Sequence, residues 1–154
     1  MRRVITLRHL AALAILILVG TTSLGAAELD PKAISIQLPK EIKWNVNEAN
    51  GTAQAILVGD PSKPGLYIVL QKWMPHHNSR PHFHPNDRFI TVLSGTWWVN
   101  TGAAYDPAGM KAVPAGSFVT HVGKEIHYDG ARDEEAVLQI VGIGPATNTS
   151  AEAK

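Results

Sequence analysis

Short apolar or alternating runs, separated by glycine and proline turns, recur along most of this chain and limit the folds it can adopt. The runs lie at 53–58, 66–73, 88–93, 96–99, 117–122 and 136–143. Turn residues such as Pro64-Gly65 and Ser94-Gly95 interrupt them, and this punctuation is typical of antiparallel strands. After residue 27 the sequence has no amphipathic stretch of helix length and no internal repeat. It therefore predicts an all-β sandwich or barrel.

The first 27 residues have the layout of a secretory signal peptide. Three arginines precede an apolar run at 10–19, and no acidic residue occurs before Glu28. Gly25 and Ala27 fit a signal-peptidase site before Glu28. An uncleaved anchor is the alternative, but about ten apolar residues fall short of the ~20 that a spanning helix needs. We expect cleavage near Ala27, a periplasmic or secreted protein, and no stable membrane anchor after cleavage.

The expected mature chain is long enough for one domain with its own core. We predict a barrel domain over 28–145, with a short strand at 34–38 covering its sheet, and a disordered tail over 146–154. Loss of residues 1–27 removes three arginines and no acid, so 11 basic residues remain against 13 acidic ones and the formal charge changes from +1 to −2. Because no Lys/Arg cluster is left to follow a phosphate backbone, nucleic acid is not an expected partner.

The chain has no cysteine, which removes disulfides, thiol catalysis and cysteine-ligated metal sites. It also has no glycine-rich phosphate loop and no Gly-x-Ser-x-Gly elbow. Six histidines follow residue 27, at positions 76, 77, 82, 84, 121 and 127. The chemistry left to the chain is that of histidines and a metal ion.

The sharpest local motif is Pro81-His82-Phe83-His84-Pro85. In an extended chain His82 and His84 point to the same face, about 6.5–7 Å apart along the strand. Two imidazoles so placed can converge on one metal ion. Gly95 closes the β-rich segment that follows, and His127 follows a later glycine-led strand, so His127 is a candidate third ligand.

These residues resemble the first motif of the cupin family. His82 and His84 match its paired histidines and Gly95 matches its closing glycine. Arg88 stands where that motif has a glutamate ligand, and His76 stands where it has the leading glycine.

The second cupin motif is matched by Gly116 and His127 in register. Its proline, second glycine and asparagine are replaced by Val122, Lys124 and Ala131. The resemblance covers roughly residues 65–144. It implies a cupin-type double-stranded β-helix, a jelly-roll-like barrel whose open interior holds a divalent metal ion.

Arg88 leaves three interpretations open, because a guanidinium cannot bind a metal ion. In the first, His82, His84 and His127 form a three-histidine site, as in thiol dioxygenase-type cupins, and Arg88 faces the interior to hold a substrate carboxylate. In the second, another residue completes the metal shell. In the third, the barrel binds a small molecule without metal.

For the second interpretation the candidates are Asp87, His121 and Glu125. His121 is the best placed because it lies on the strand just before His127. Imidazole ligands suit several metals, so Fe, Zn, Mn, Ni and Cu all remain candidates.

Two classes of function follow from these residues. One is a non-haem-metal oxidoreductase of dioxygenase type that acts on a small anionic substrate. The alternative is a non-catalytic periplasmic protein that binds a small ligand or a metal ion. A homodimer is expected in either case, since an exposed strand edge needs covering.

Three other features have mainly structural interpretations. Trp97 and Trp98 are adjacent, so one faces the interior and the other faces outward, as ordinary surface or as part of a dimer contact. His76 and His77 lie in a Pro/Asn/Ser loop and are interpreted as solvated. Asp129-Gly130 is interpreted as a hairpin turn, functional only if Asp129 reaches the site.

Overall fold

The computed structural model describes residues 28–152, and nearly all of its regular structure is β-strand. The strands are β1 (Asn45–Asn47), β2 (Thr52–Val58), β3 (Gly65–Trp73), β4 (His82–Phe83), β5 (Arg88–Ser94), β6 (Thr96–Thr101), β7 (Lys111–Pro114), β8 (Phe118–His121), β9 (His127–Gly130), β10 (Ala136–Gly144) and β11 (Thr149–Ser150). Two short 3-10 helices lie at Pro39–Glu41 and Glu48–Asn50. No helix of the described residues is long and apolar enough to cross a membrane. The predicted signal peptide at 1–27 lies outside these residues.

The strands form two antiparallel sheets. Sheet 1 has six strands in the order β1-β2-β3-β10-β5-β8, and sheet 2 has five in the order β11-β4-β9-β6-β7. Strand β10 pairs with β3 on one side and with β5 on the other. The all-β class that the sequence predicted is thereby confirmed.

Alternation of side chains along the strands builds a core between the sheets. On β5, Ile90 and Val92 are buried while Phe89 faces solvent. Leu138 on β10 and Trp97 on β6 join the same cluster, so the two sheets share one core. Each large apolar side chain that is fully buried contributes about 1.5–3 kcal/mol to stability.

The two adjacent tryptophans face opposite ways, as the sequence predicted. Trp97 is completely buried in the core. Trp98 lies on the other face of β6, where the guanidinium carbon of Arg132 is 3.6 Å from its ring centroid. Arg132 therefore covers the outward tryptophan within the chain itself.

The six predicted apolar runs correspond to β2, β3, β5, β6, β8 and β10, and the other strands were not predicted. No strand forms at 34–38; the flanking Pro31 and Pro39 lack the N–H that a sheet ladder uses. Asp129-Gly130 was interpreted as a turn, but both residues lie within β9. These unpredicted strands are short, and several are polar, so they carry little hydrophobic alternation.

The predicted disordered tail over 146–154 contains a short strand instead, β11, and residues 153 and 154 lie outside the described residues. Thr149 and Ser150 pair with Phe83 and His82 of β4. The backbone N–H of Ala151 also donates to the carbonyl of Pro81 at 2.9 Å. The Ala/Thr/Ser composition suggested disorder, but backbone hydrogen bonds hold residues 149–151 to β4 and the residue before it, and the N–H of Ala146 donates to the carbonyl of Pro61 at 2.7 Å.

Gly95, in the turn between β5 and β6, has a conformation that only glycine adopts readily. Its φ is +70°, and a Cβ at this position would lie 2.0 Å from the carbonyl oxygen of Glu135. We expect Gly95→Ala to lower the free energy of unfolding by about 2–4 kcal/mol, because backbone strain and a backbone clash add. Urea denaturation measures this loss.

The matched control is Gly116→Ala. Gly116 has φ +87° with nothing within 4 Å of an added Cβ, so only the backbone strain of about 1–2 kcal/mol applies. Equal losses in the two variants would contradict the role of the close approach at Gly95.

Candidate metal centre

Strand pairing brings three histidines together inside the barrel. His82 on β4 and His127 on β9 are direct cross-strand partners, and their ring centroids are 4.6 Å apart. His84 follows two residues after His82, on the same face, with its ring centroid 4.9 Å from that of His82. All three side chains are buried. One potential ligand atom from each lies within 4.8 Å of the other two.

The hydrogen bonds of these rings fix which nitrogen is free. Nδ1 of His82 lies 2.8 Å from the carbonyl oxygen of Arg80. Nδ1 of His84 lies 2.8 Å from the carbonyl oxygen of Thr147, and Nδ1 of His127 lies 3.0 Å from that of Glu125. A carbonyl oxygen only accepts, so each Nδ1 carries the proton and donates it. Each Nε2 is then left with a lone pair, as in a metal-binding imidazole whose other nitrogen is held by a backbone carbonyl.

The free nitrogens of His84 and His127 have no partner of their own. Both Nε2 atoms are buried and make no hydrogen bond, and orphaned buried polar atoms are costly unless something else binds them. Burial lowers the pKa of His84 to about 3 and that of His127 to about 4. Both rings are therefore neutral at pH 7, which is the form that ligates metals. The three histidines fit a divalent metal ion.

His121, the alternative fourth ligand, lies beside this group rather than within it. Its ring centroid is 3.7 Å from that of His127, but its Nδ1 accepts a hydrogen bond from Nη2 of Arg88 at 3.0 Å. Since a guanidinium only donates, the Nδ1 lone pair is occupied and Nε2 holds the proton of the neutral ring. Burial holds the pKa of His121 well below its ordinary 6.5. In this arrangement neither nitrogen of His121 offers a lone pair to a metal ion.

The two carboxylates considered as ligands lie elsewhere. Asp87 is exposed and accepts a hydrogen bond from the backbone N–H of Gly123 at 2.7 Å. The side chain of Glu125 is also exposed, and this residue contributes to the site through its backbone carbonyl instead.

Arg88 extends into the barrel from sheet 1. It is the direct cross-strand partner of His121 and lies on the same face of β5 as the buried Ile90. Besides the hydrogen bond to His121, its Nε is buried without a partner. Among the described residues it forms no ion pair, so its charge is available to an anion.

A cavity of about 260 Å³ lies on one side of the histidine group. His82, His84 and Arg88 line it together with Asp129. Uncharged polar side chains complete much of its wall, namely Asn50, Thr52, Gln54, Gln71, Ser79 and Asn148. The cavity can therefore take a small polar ligand beside the histidines.

Asp129 reaches the site, although the Asp-Gly pair was interpreted as a hairpin turn. It lies two residues after His127 on β9, is 5% exposed, and lines the cavity. The usable signal was its spacing from His127, because residues two apart on a strand share a face. His76 is exposed and its Nδ1 is 4.0 Å from Asp133, which places it away from the site in the solvated loop that was expected.

Acid is expected to destabilise the metal-free protein. Because the pKa values of His84 and His127 are lowered from 6.5 to about 3 and about 4, the unfolded chain binds their protons at higher pH than the folded chain does. Stability is therefore lost as the pH falls below about 6.5, at up to about 1.4 kcal/mol per pH unit for each histidine. The loss from His127 ends near pH 4 and that from His84 near pH 3.

Urea denaturation between pH 8 and pH 5, in the presence of a chelator, measures this loss. The urea concentration at the midpoint should decrease as the pH is lowered below about 6.5, and it should decrease less steeply in His127→Gln. A midpoint that is flat across this range would contradict the burial of two neutral imidazoles.

No protein-family model matches the chain and no curated protein matches its sequence, but solved structures match its fold. The polyketide cyclase RemF from Streptomyces resistomycificus aligns with a TM-score of 0.63 and 16% identity, over 79% of this chain and 87% of that chain. A protein with a double-stranded β-helix domain from Klebsiella pneumoniae has a TM-score of 0.58 and 18% identity, over 77% of this chain and 97% of that chain. A cupin-2 domain protein from Rhodospirillum rubrum has a TM-score of 0.58 and 15% identity, over 79% of this chain and 81% of that chain.

The fold is that of a cupin barrel, and three buried histidines lie close together inside it. The chain has the cupin fold, the double-stranded β-helix that the resemblance of its motifs implied. At these identities the likeness establishes the fold, and the function has to be argued from the site itself.

Proposed function

We propose that this protein is an exported, metal-dependent cupin that acts on a small anionic substrate as an oxidoreductase of the dioxygenase type. The observation that carries the proposal is the geometry of one cavity. Ligand nitrogens of His82, His84 and His127 lie within 4.8 Å of one another. Two of these residues, His82 and His84, line a cavity that is also lined by Arg88, which forms no ion pair among the described residues.

His82, His84 and His127 would hold the metal ion, with Fe, Zn, Mn, Ni and Cu as candidates. A divalent metal with three protein ligands supplies open coordination positions for substrate and oxygen. Arg88 would orient the substrate through charge-assisted hydrogen bonds to its carboxylate. His121 would act on Arg88, because accepting from Nη2 fixes where the guanidinium points.

A non-catalytic ligand-binding protein is the second candidate, and the arginine favours it. Arg88 occupies the position at which the cupin motif has a metal-binding glutamate. A cation beside the centre weakens metal affinity, so the site could serve to recognise an anion without turnover. Binding of carboxylates with no oxygen consumption in the iron-loaded protein would favour this candidate.

The test is purification of the protein without chelator, elemental analysis, and measurement of oxygen uptake with small carboxylates and thiols after adding iron. We expect about one metal ion per chain and oxygen uptake with at least one substrate. A protein that contains no metal and gains no activity with iron would overturn the proposal.

Export and self-association complete the proposal. The basic and apolar start of the sequence supports cleavage before Glu28 and a periplasmic or secreted location.

The outer face of sheet 1 supports a homodimer, because Phe89 and Phe118 are 45% and 66% exposed and stack on each other with ring centroids 6.4 Å apart. A twofold contact brings this apolar patch against its own copy. Light scattering should report a dimer that Phe118→Glu converts to a monomer; a monomeric parent protein would contradict it.

A further inference from the structure

The cavity beside the three histidines is lined by charges of both signs. Arg88 brings a guanidinium from β5, and Asp129 brings a carboxylate from β9. Within residues 28–152 neither forms an ion pair, with the other or with any third residue. Burial of an unpaired charge is costly, so a ligand with groups of opposite charge would stabilise both side chains.

Asp129 is held in position by Ser79. The hydroxyl of Ser79 donates to Oδ1 of Asp129 at 2.9 Å, and the backbone N–H of Asp129 donates to Oγ of Ser79 at 2.9 Å. The second carboxylate oxygen, Oδ2, makes no hydrogen bond among the described residues and is not sealed from solvent. The carboxylate is therefore oriented through one oxygen and available through the other.

Asp129 is not a member of the metal-binding group. The ligand atoms that lie within 4.8 Å of one another come from His82, His84 and His127 alone among the described residues. Burial lowers the pKa of Arg88, while the charge of Asp129 opposes that shift. Arg88 and Asp129 therefore line one cavity without forming an ion pair with each other.

The size of the cavity limits that ligand. About 260 Å³ corresponds to roughly nine water molecules at about 30 Å³ each. A molecule of three to five carbon atoms fits within this volume. The amide side chains of Gln54 and Gln71, which hydrogen-bond to each other at 3.3 Å, keep this wall polar.

We infer that the cavity binds a small zwitterion, with its carboxylate against Arg88 and its ammonium group against Asp129. The binding of a carboxylate by Arg88 rests on the proposed function, and the binding of an ammonium group by Asp129 is new. Asp129 then determines specificity: it separates amino acids and similar zwitterions from simple carboxylates of the same size.

The test compares three-carbon acids by calorimetric titration of the zinc-loaded protein. L-alanine and β-alanine carry an ammonium group at two different positions, and propionate carries none. We expect at least one of the two zwitterions to bind about tenfold more tightly than propionate, because a charge pair in a buried site contributes to this extent. Asp129→Asn should reduce that preference to about twofold or less and leave the affinity for propionate equal or higher.

Asn at position 129 is the matched change, since its carbonyl can still accept from Ser79 while the charge is gone. Ser79→Ala is the second variant. It keeps the carboxylate but removes its anchor, and it should lower the preference about threefold with zinc content unchanged. If Asp129→Asn loses the far-UV spectrum of the native fold, an unchanged preference in Ser79→Ala overturns the inference.

The outcomes separate the two proposals. Equal affinity for propionate and both zwitterions, with loss of all binding in Arg88→Gln, overturns the zwitterion and leaves the carboxylate site standing. No binding of any of the three acids overturns both. A zwitterion preference that persists in Asp129→Asn overturns the role of Asp129.

Discussion

Replacing His127 with alanine is expected to lower bound metal from about one ion per chain to less than about a tenth of that. His127 supplies one of the three imidazole nitrogens that cluster within 4.8 Å, and the loss of even an outer hydrogen-bond partner costs metal sites about 10–100-fold in affinity. The stabilisation that saturating metal gives, about 2.7 kcal/mol at 100 times the Kd, should disappear as well. Elemental analysis and thermal unfolding with and without added zinc measure the two effects.

The matched control is His76→Ala. His76 is an exposed histidine of the Pro/Asn/Ser loop and takes no part in the centre, so its removal should leave metal content and zinc-dependent stabilisation unchanged. Full metal content in His127→Ala would contradict the three-histidine assignment. A loss in His76→Ala as large as that in His127→Ala would mean that the measured metal is bound elsewhere.

Replacing Arg88 with glutamine should abolish carboxylate binding while metal content stays at about one ion per chain. A charge-assisted, buried contact of this kind is worth about 2–5 kcal/mol, so the affinity for a carboxylate should fall at least about 30-fold. Arg88→Lys retains the charge but loses the planar pair of donors, so its affinity should fall by an intermediate factor. Titration with propionate into the zinc-loaded protein measures these losses.

Arg132→Gln is the control for Arg88. Arg132 is an arginine that stacks on Trp98 outside the core, so its loss changes stability rather than carboxylate affinity. Undiminished binding of propionate by Arg88→Gln would contradict the role of the guanidinium. His121→Gln adds a further check: because Nδ1 of His121 accepts from Arg88, this variant should weaken carboxylate binding and retain the metal.

The sequence predicted the strands that carry strong hydrophobic alternation. The run 136–143 is apolar apart from Gln139 and Gly142, and it forms β10, which lies between β3 and β5. The strand pair β4–β9 had no such signal, since β4 is two residues long and β9 reads His-Tyr-Asp-Gly. Its pairing depends on tertiary hydrogen bonds, which no local pattern encodes.

The site was predicted as a set of residues rather than as an arrangement. The His-x-His spacing and the register of the second motif indicated His82, His84 and His127 as candidate metal ligands. What distinguished His121 from a ligand was the hydrogen bond from Arg88, and that bond depends on the β5–β8 register. Asp129 was interpreted as part of a turn because Asp-Gly is a common turn pair, and the position of β9 beside β4 and β6 is what brings Asp129 to the cavity.

X-ray absorption spectroscopy of the zinc-loaded protein tests the three-histidine centre most directly. We expect three imidazole nitrogens at about 2.0–2.1 Å, with the remaining position taken by a water or another small oxygen ligand. Four imidazoles would show that His121 joins the shell, and two or fewer would show that the free Nε2 atoms of His82, His84 and His127 do not act together. Either result would contradict the centre described above.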